Sequence, residues 1–267
     1  MAKRKRRTTR RSIARRLKEG CGKGRLADYK PWLHIQDVPS LGLACRAKGW
    51  KTERVHHLLS ILELLYFFVL EWSSNVVDIR EQYALLPLEE TLAIANSCGI
   101  RHPVDPKTRQ PIVMTTDFVV TVRHGDVDTD QPRTVKYRDD LFSPRTLEKL
   151  EIERRYWEAR GKKLKIVTEC SIPRVLAQNV QWLHPYRRFQ DFTDLPDLIL
   201  SLVASIVMNT LQTRNAPLSD ITNSLDDELG VEAGTCLAIT RHLLANRVLK
   251  VDMREPINPR ARLILLN

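Results

Sequence analysis

Asp117 opens a short apolar run, Asp117-Phe-Val-Val-Thr-Val122, and seventeen residues later stands Thr134-Val135-Lys136. Two such segments read as a β-hairpin that sets one carboxylate and one ammonium side by side. That pair suggests a metal-dependent site for cleaving phosphodiesters. The reaction needs a hydroxide at neutral pH, neutralisation of charge on the pentacovalent phosphorane, and help for the leaving oxygen. Mg2+ meets much of this when a few carboxylate or carbonyl oxygens hold it and leave it partly hydrated, and Mn2+ is an expected substitute. A lysine beside it orients or deprotonates the attacking water and stabilises transition-state charge. Strand alternation places Thr134 and Lys136 on one face and leaves the Val135 carbonyl available as a ligand. The set is one acid short, because the position two before the lysine, where a second acid is usual, holds Thr134.

Glu63 is the candidate for the missing acid. It stands in Ile61-Leu-Glu63-Leu-Leu-Tyr-Phe-Phe-Val-Leu70, a setting that buries whatever it contains. A buried charge is costly unless it is paired or bound to a metal. An ion pair, or a place on the one exposed stripe of the helix, would explain Glu63 equally well. The functional alternative has it project from the helix toward the hairpin and complete a metal site with Asp117.

The elements that must carry these groups follow from periodicity. From Glu53 to Trp72 the apolar residues recur at helical spacing, predicting a largely buried helix. His56 and His57 fall within it as helix-surface polar residues. Val76–Ile79 is strand-like, Pro87 to Pro111 reads as a loop, Thr146–Arg160 as an amphipathic helix, and Leu164–Thr168 as a strand. The order predicts a mixed α/β layer domain over residues 31–168, with an irregular linker at 31–52.

Charge is divided unevenly. Residues 1–30 hold 13 Lys/Arg against Glu19 and Asp28, a net of +11, and the other 237 residues carry 30 basic and 30 acidic side chains. Residues 1–30 are therefore expected to be a basic, flexible tail, with a possible helix at Ser12–Glu19. Lys3, Arg4, Lys5, Arg6, Arg7, Arg10 and Arg11 are its candidate DNA contacts. Phosphate contacts of this kind carry no sequence specificity. Five scattered cysteines without a CxxC pair argue against a zinc knuckle or a disulfide framework and fit a reducing cytosol. The longest apolar stretch, Leu58 to Trp72, is interrupted by Ser60, Glu63 and Glu71, so no membrane span is expected, and no secretory signal follows the basic start.

Residues 169–267 read differently. Helices at Ile172–Leu183 and Leu195–Gln212 precede one starting near Ser219, its expected N-cap, and ending at Gly230. A further helix at Glu232–Asn246 and a hairpin of Val248–Met253 with Ala261–Leu266 complete the pattern of an all-α/winged-helix domain. Its ten basic and ten acidic side chains are balanced from residue 170 on, and the helix that would enter a DNA groove offers only Arg241 and His242 as strong donors. Protein docking and DNA binding both stand open here.

Eight collinear segments make a resemblance specific: ARRLKEGCGKG, DYKPWL, VHHLLSILEL, LEWSSNVVDIREQYALLP, GIRHP, VMTTDF, TVK and RTLEKLEIERRYW. Over roughly residues 14–183 the chain resembles the TnsA family, endonuclease subunits of heteromeric cut-and-paste DNA transposons. The resemblance implies a restriction-endonuclease-like N-terminal domain in which Glu63, Asp117 and Lys136 form the catalytic triad, with Glu63, Asp117 and the Val135 carbonyl as Mg2+ ligands. The position of Thr134 is commonly a glutamine in that family, and Glu71 and Glu148 fall where accessory groups would. It also implies cuts at the 5′ ends of the element, beside a DDE transposase, TnsB, with the C-terminal domain docking an AAA+ regulator, TnsC. The bacterial cytosol, near the nucleoid, is the implied location. An autonomous restriction- or repair-type nuclease and a non-enzymatic winged-helix DNA-binding regulator are the alternatives.

Overall fold

The computed structural model describes residues 7–38, 44–191 and 195–266. The chain divides into two compact units, Met1–Ile172 and Pro173–Asn267, a few residues beyond the expected break at 168.

The first unit is built on a four-stranded sheet in the order β3 (Val76–Ala84), β4 (Thr115–His124), β5 (Val127–Val135) and β6 (Lys165–Val167). The β4–β5 turn requires a left-handed residue, which Gly125 supplies at φ 58°. Arg133 lies opposite Phe118 in this pair, so Asp117 and Thr134 are neighbours across it. β6 then adds parallel to β5. Adjacent residues of β4 bury in opposite directions, as a pleated strand demands. Val119 joins α3 (Leu88–Ser97) and α4 (Pro144–Glu158) in a cluster with Ala95, Ile152, Tyr156 and Trp157. Phe118 meets α2 (Ile61–Trp72) through Tyr66, with ring centroids 5.7 Å apart.

Several expectations are corrected. The run read as one helix from Glu53 is a strand, β2 (Val55–Leu58), then α2; Ser60 caps α2 by accepting the Glu63 amide and so breaks the periodicity. Four residues of the presumed linker form β1 (Cys45–Lys48), paired with β2, and Trp32 is buried. His56 is therefore not a helix-surface residue. It is fully buried on β2, between the Thr52 hydroxyl at 2.7 Å and Glu81 at 2.8 Å. Arg54 also grips Glu81, and although burial alone would raise the Glu81 pKa, His56 and Arg54 hold it well below the usual carboxylate range. The loop expected after Pro87 begins with α3, which buries Thr91 and Ala95.

The basic N-terminus is folded from Thr8 onward rather than free to residue 30. α1 (Arg10–Lys18) starts at a reciprocal capping box between Thr9 and Ser12. Its Ile13 packs on a cluster of Cys21, Trp32, Ala84 and Val113, and the Arg16 guanidinium reaches the Trp32 carbonyl and Asp37. Lys3, Arg4, Lys5 and Arg6 lie outside the described residues.

The second unit is helical: α5 (Arg174–Leu183), α6 (Asp197–Thr213), α7 (Leu218–Leu229) and α8 (Thr235–Ala245). Leu200, Val207, Leu218, Ile221, Leu225, Ile239 and Leu244 are buried in it. Gly230 caps α7 at φ 62°, but the N-cap of α7 is Pro217 rather than Ser219. The expected hairpin is not formed. Among the described residues, Val248–Met253 and Ala261–Leu266 contain no strand and meet through one bond, Leu266 amide to Lys250 carbonyl at 2.8 Å. The intervening segment serves α7 instead: the Pro259 and Ala261 carbonyls accept the Ser219 and Leu218 amides, which a helix start otherwise leaves unbonded. Pro256 and Pro259 have no amide to give a ladder.

Candidate active site

Asp117 is the centre of a dense set of bonds. Its Oδ2 accepts from the Lys136 ammonium at 2.7 Å, the Val135 amide at 2.7 Å and the Thr134 hydroxyl at 3.0 Å. The same ammonium donates to the Val135 carbonyl at 3.0 Å. The oxygens expected to hold a cation, Asp117 Oδ2 and Val135 O, thus already converge on one positive charge. Thr134, the unexplained departure at the second-acid position, orients the carboxylate as a hydroxyl donor. Burial works against the charged form of Lys136, but Asp117, Glu153 and Glu63 outweigh it and raise the pKa above that of an ordinary lysine. The amine stays protonated, which favours charge stabilisation over proton abstraction.

Glu63 occupies the third position of α2. Its carboxylate folds back to accept the Leu59 amide at 2.9 Å and the Ser60 hydroxyl at 3.2 Å, so it caps its own helix. It also feels Asp117: burial first, then that negative charge, push its pKa up to about 7, against the opposing pull of the Leu59 amide and Lys136. The carboxylate that folds back on its own helix is thus also within electrostatic reach of Asp117.

Two further groups were not singled out from the sequence. Glu153, on the inner face of α4, is buried and its pKa is pushed up to about 8, by desolvation and then by Asp117. The Thr116 hydroxyl bonds it, while its Oε1 is buried with no partner. Gln82 faces Asp117 across the β3–β4 pair, between the Glu81–Phe118 and Tyr83–Thr116 positions, in a left-handed backbone conformation at φ 48°. Its amide nitrogen reaches Glu63 at 3.4 Å and its oxygen accepts from Thr115 at 3.1 Å. A non-glycine residue held in this region stores about 1–3 kcal/mol, and such strain concentrates where geometry is imposed by the surroundings. Glu153 carried a legible signal, an acid on the apolar stripe of Leu150, Tyr156 and Trp157; Gln82 carried none.

Glu71 and Glu148 do not join the cluster. Glu71 accepts the Trp50 amide at 2.8 Å, beside the β1–β2 turn. Glu148 pairs with Arg145 on the outside of α4; five residues turn a helix by about 140°, which separates it from Glu153.

A cleft of about 420 Å³ opens onto Asp117, Thr134, Lys136 and Glu153, walled by Leu33, Pro103, Ile112 and Val113. Among the described residues, no three His, Cys, Asp or Glu side chains stand close enough together to hold a metal ion as they are. The donor set nevertheless fits a hard divalent cation. It comprises oxygen ligands only, an unpartnered Glu153 Oε1, and two acids whose pKa values burial and then the Asp117 charge raise to about 7 and about 8.

No helix among the described residues is long and apolar enough to cross a membrane. Residues 73–169 match the family described as TnsA-like endonuclease N terminal, and residues 171–253 match TnsA endonuclease C terminal. The first match contains Asp117, Thr134, Lys136 and Glu153; Glu63 precedes it. Across 241 residues, 90% of this chain and 85% of the relative, the sequence is 39% identical to the transposon Tn7 transposition protein TnsA of Escherichia coli. With both halves matched and most of its length aligned, the chain belongs to the TnsA family.

Proposed function

We propose that this protein is a transposon end-processing endonuclease that makes divalent-metal-dependent cuts at the 5′ ends of a DNA element. The observation that carries the reading is the cleft lined by Asp117, Lys136 and Glu153, with the buried Glu63 carboxyl within electrostatic reach of Asp117, in a chain of the TnsA family. The first unit is read as restriction-endonuclease-like. Asp117, the Val135 carbonyl, Glu63 and Glu153 would hold Mg2+, or Mn2+ in its place. When bound, the ion would supply a nucleophilic hydroxide and neutralise phosphate charge. Thr134 and the Val135 amide fix the Asp117 carboxylate. Lys136, kept protonated, stabilises the negative charge that water attack adds at phosphorus. Gln82 holds Glu63 in register with β4.

The second unit is read as a winged-helix-related docking module rather than a DNA reader. Arg241 is spent on the Trp182 carbonyl and lies between the Trp182 and Tyr186 rings, and His242 bonds the Tyr186 carbonyl, so neither is presented to a groove. Leu198 and Leu202 on α6 are 83% and 62% exposed, an apolar surface suited to a protein partner. The AAA+ regulator TnsC is the proposed partner of this unit, and the DDE transposase TnsB the proposed partner in cleavage. Arg7, Arg10 and Arg11 add sequence-independent affinity for DNA backbone.

Strand-specific cleavage of marked transposon ends, with and without TnsB, tests this reading. Cleavage only in the presence of TnsB supports it. Magnesium-dependent cutting by the protein alone points to an autonomous nuclease, and no cutting in either case to a non-enzymatic regulator. Activity unchanged in Asp117→Ala or Lys136→Ala would sink the catalytic assignment.

A further inference from the structure

The loop from Arg101 to Ile112 has one end in the cleft and its tip against the N-terminus of α1. Pro103 and Ile112 line the cleft beside Asp117 and Lys136. From there the loop narrows to a turn held by the Val104–Pro111 bridge, the Asp105 amide on the Gln110 carbonyl, and the Arg109 amide on the Asp105 carbonyl. Asp105 Oδ1 accepts the Lys107 and Thr108 amides at 2.9 Å each. Its Oδ2 accepts the Thr8 amide at 2.7 Å, and the Thr108 hydroxyl returns a bond to the Thr8 carbonyl at 2.6 Å. The Thr8 amide first, then the Thr108 and Lys107 amides, hold the Asp105 carboxyl down at about 2.

This staple has a consequence for charge. It ties the turn that carries Lys107 and Arg109 to Thr8, which lies between Arg7 and the Arg10-Arg11 start of α1. All five are exposed, and among the described residues none has a carboxylate partner. The one acid within the loop, Asp105, is consumed by backbone amides. A second cavity, lined by Arg7 and Thr8, shares Leu33, Ile112 and Val113 with the cleft, so the Arg7 end of the basic surface and the cleft have a common wall.

We propose that α1 and the 101–112 loop, locked together through Asp105, form a two-sided clamp on the phosphate backbone of duplex DNA flanking the cleft. The clamp rests on the nuclease reading only for the purpose of the bound duplex; its existence as a DNA surface is independent of cleavage. Five unpaired cations on two rigidly joined elements fit a polyanion of regular charge spacing, and no group among them is placed to read bases. Asp105 is a positioning residue: it touches no DNA and sets the distance between the two basic edges.

The test is equilibrium binding of the full-length protein to unrelated 30-base-pair duplexes across a salt series, read by fluorescence anisotropy. Lys107→Ala/Arg109→Ala should reduce the slope of log K against log salt by about 2, given roughly 0.9 per phosphate contact, and weaken all duplexes alike. Arg10→Ala/Arg11→Ala should do the same. Asp105→Ala should reduce the slope with every cation still present, a result that loss of charge cannot produce. Thermal melts identify any variant that has simply unfolded, and the two surface doubles carry the test if Asp105→Ala does. Arg154→Ala/Arg155→Ala, which removes cations already paired with Glu151, should leave the slope unchanged. An unchanged slope in the Lys107/Arg109 double overturns the clamp, as does a wild type with no salt-dependent affinity for duplex. A protein that binds with the expected slopes yet never cuts keeps the clamp and refutes the nuclease.

Discussion

Glu153→Gln offers a measurement in which the metal-free protein reports on its own site. The folded environment raises this carboxyl from 4.5 to about 8, by burial first and by Asp117 second. Between those two values the folded state keeps a proton that the unfolded state has released. Stability is therefore full below about pH 4.5 and is lost as pH rises through 8. At about 1.4 kcal/mol per pH unit, the loss approaches roughly 5 kcal/mol. Water penetration and relaxation screen buried charge toward an effective dielectric near 20, so a difference of about 2 kcal/mol would already support the argument. Glutamine has the same shape and no proton to lose. In EDTA, urea unfolding from pH 5 to 9 should find the wild type losing stability relative to Glu153→Gln, with the gap opening across neutrality and flattening above 8. Glu63, whose pKa is about 7, contributes a loss of the same sign to both proteins and cancels in the comparison. Added Mg2+ should restore the wild type more than the variant, because binding rewards the ionised carboxylate. Parallel stability profiles for the two proteins in EDTA would refute the reasoning.

Lys136→Ala leaves Asp117, Glu63 and Glu153 without their common cation. It should destabilise the metal-free protein at pH 8 by about 1–3 kcal/mol and lower strand cleavage by about a hundredfold or more, measured by urea melts and single-turnover cutting. Gln82→Ala removes the bridge between Glu63 and Thr115; cleavage should fall roughly tenfold for a stability change of about 1 kcal/mol, and wild-type cutting in a folded variant would remove Gln82 from the site. Leu198→Glu/Leu202→Glu should abolish capture of the AAA+ partner in a pull-down while leaving Mg2+-dependent stabilisation of the first unit intact; undiminished capture would shift the docking surface elsewhere.

What the sequence determined by itself was whatever local periodicity and composition carry. Alternation in Asp117–Val122 and the spacing to Thr134–Lys136 sufficed for the hairpin and for the side-by-side carboxylate and ammonium, because pairing register follows from a short turn. An acid amid apolar neighbours was enough to single out Glu63, and the charge balance of residues 170–267 was read directly. Tertiary structure alone decided the rest. Glu153 and Gln82 come from α4 and from β3, and only packing against β4 brings them to Asp117. The cations from Arg10 to Lys30 looked like part of a free tail because charge density opposes collapse, yet Ile13, Cys21 and the Asp105 staple anchor the chain from Thr8 onward to the fold. Arg241 looked available on α8 until the Trp182 and Tyr186 rings closed over it. A sequence window registers what a residue prefers; which distant oxygen, ring or amide it meets is set by the three-dimensional packing of elements far apart in the chain.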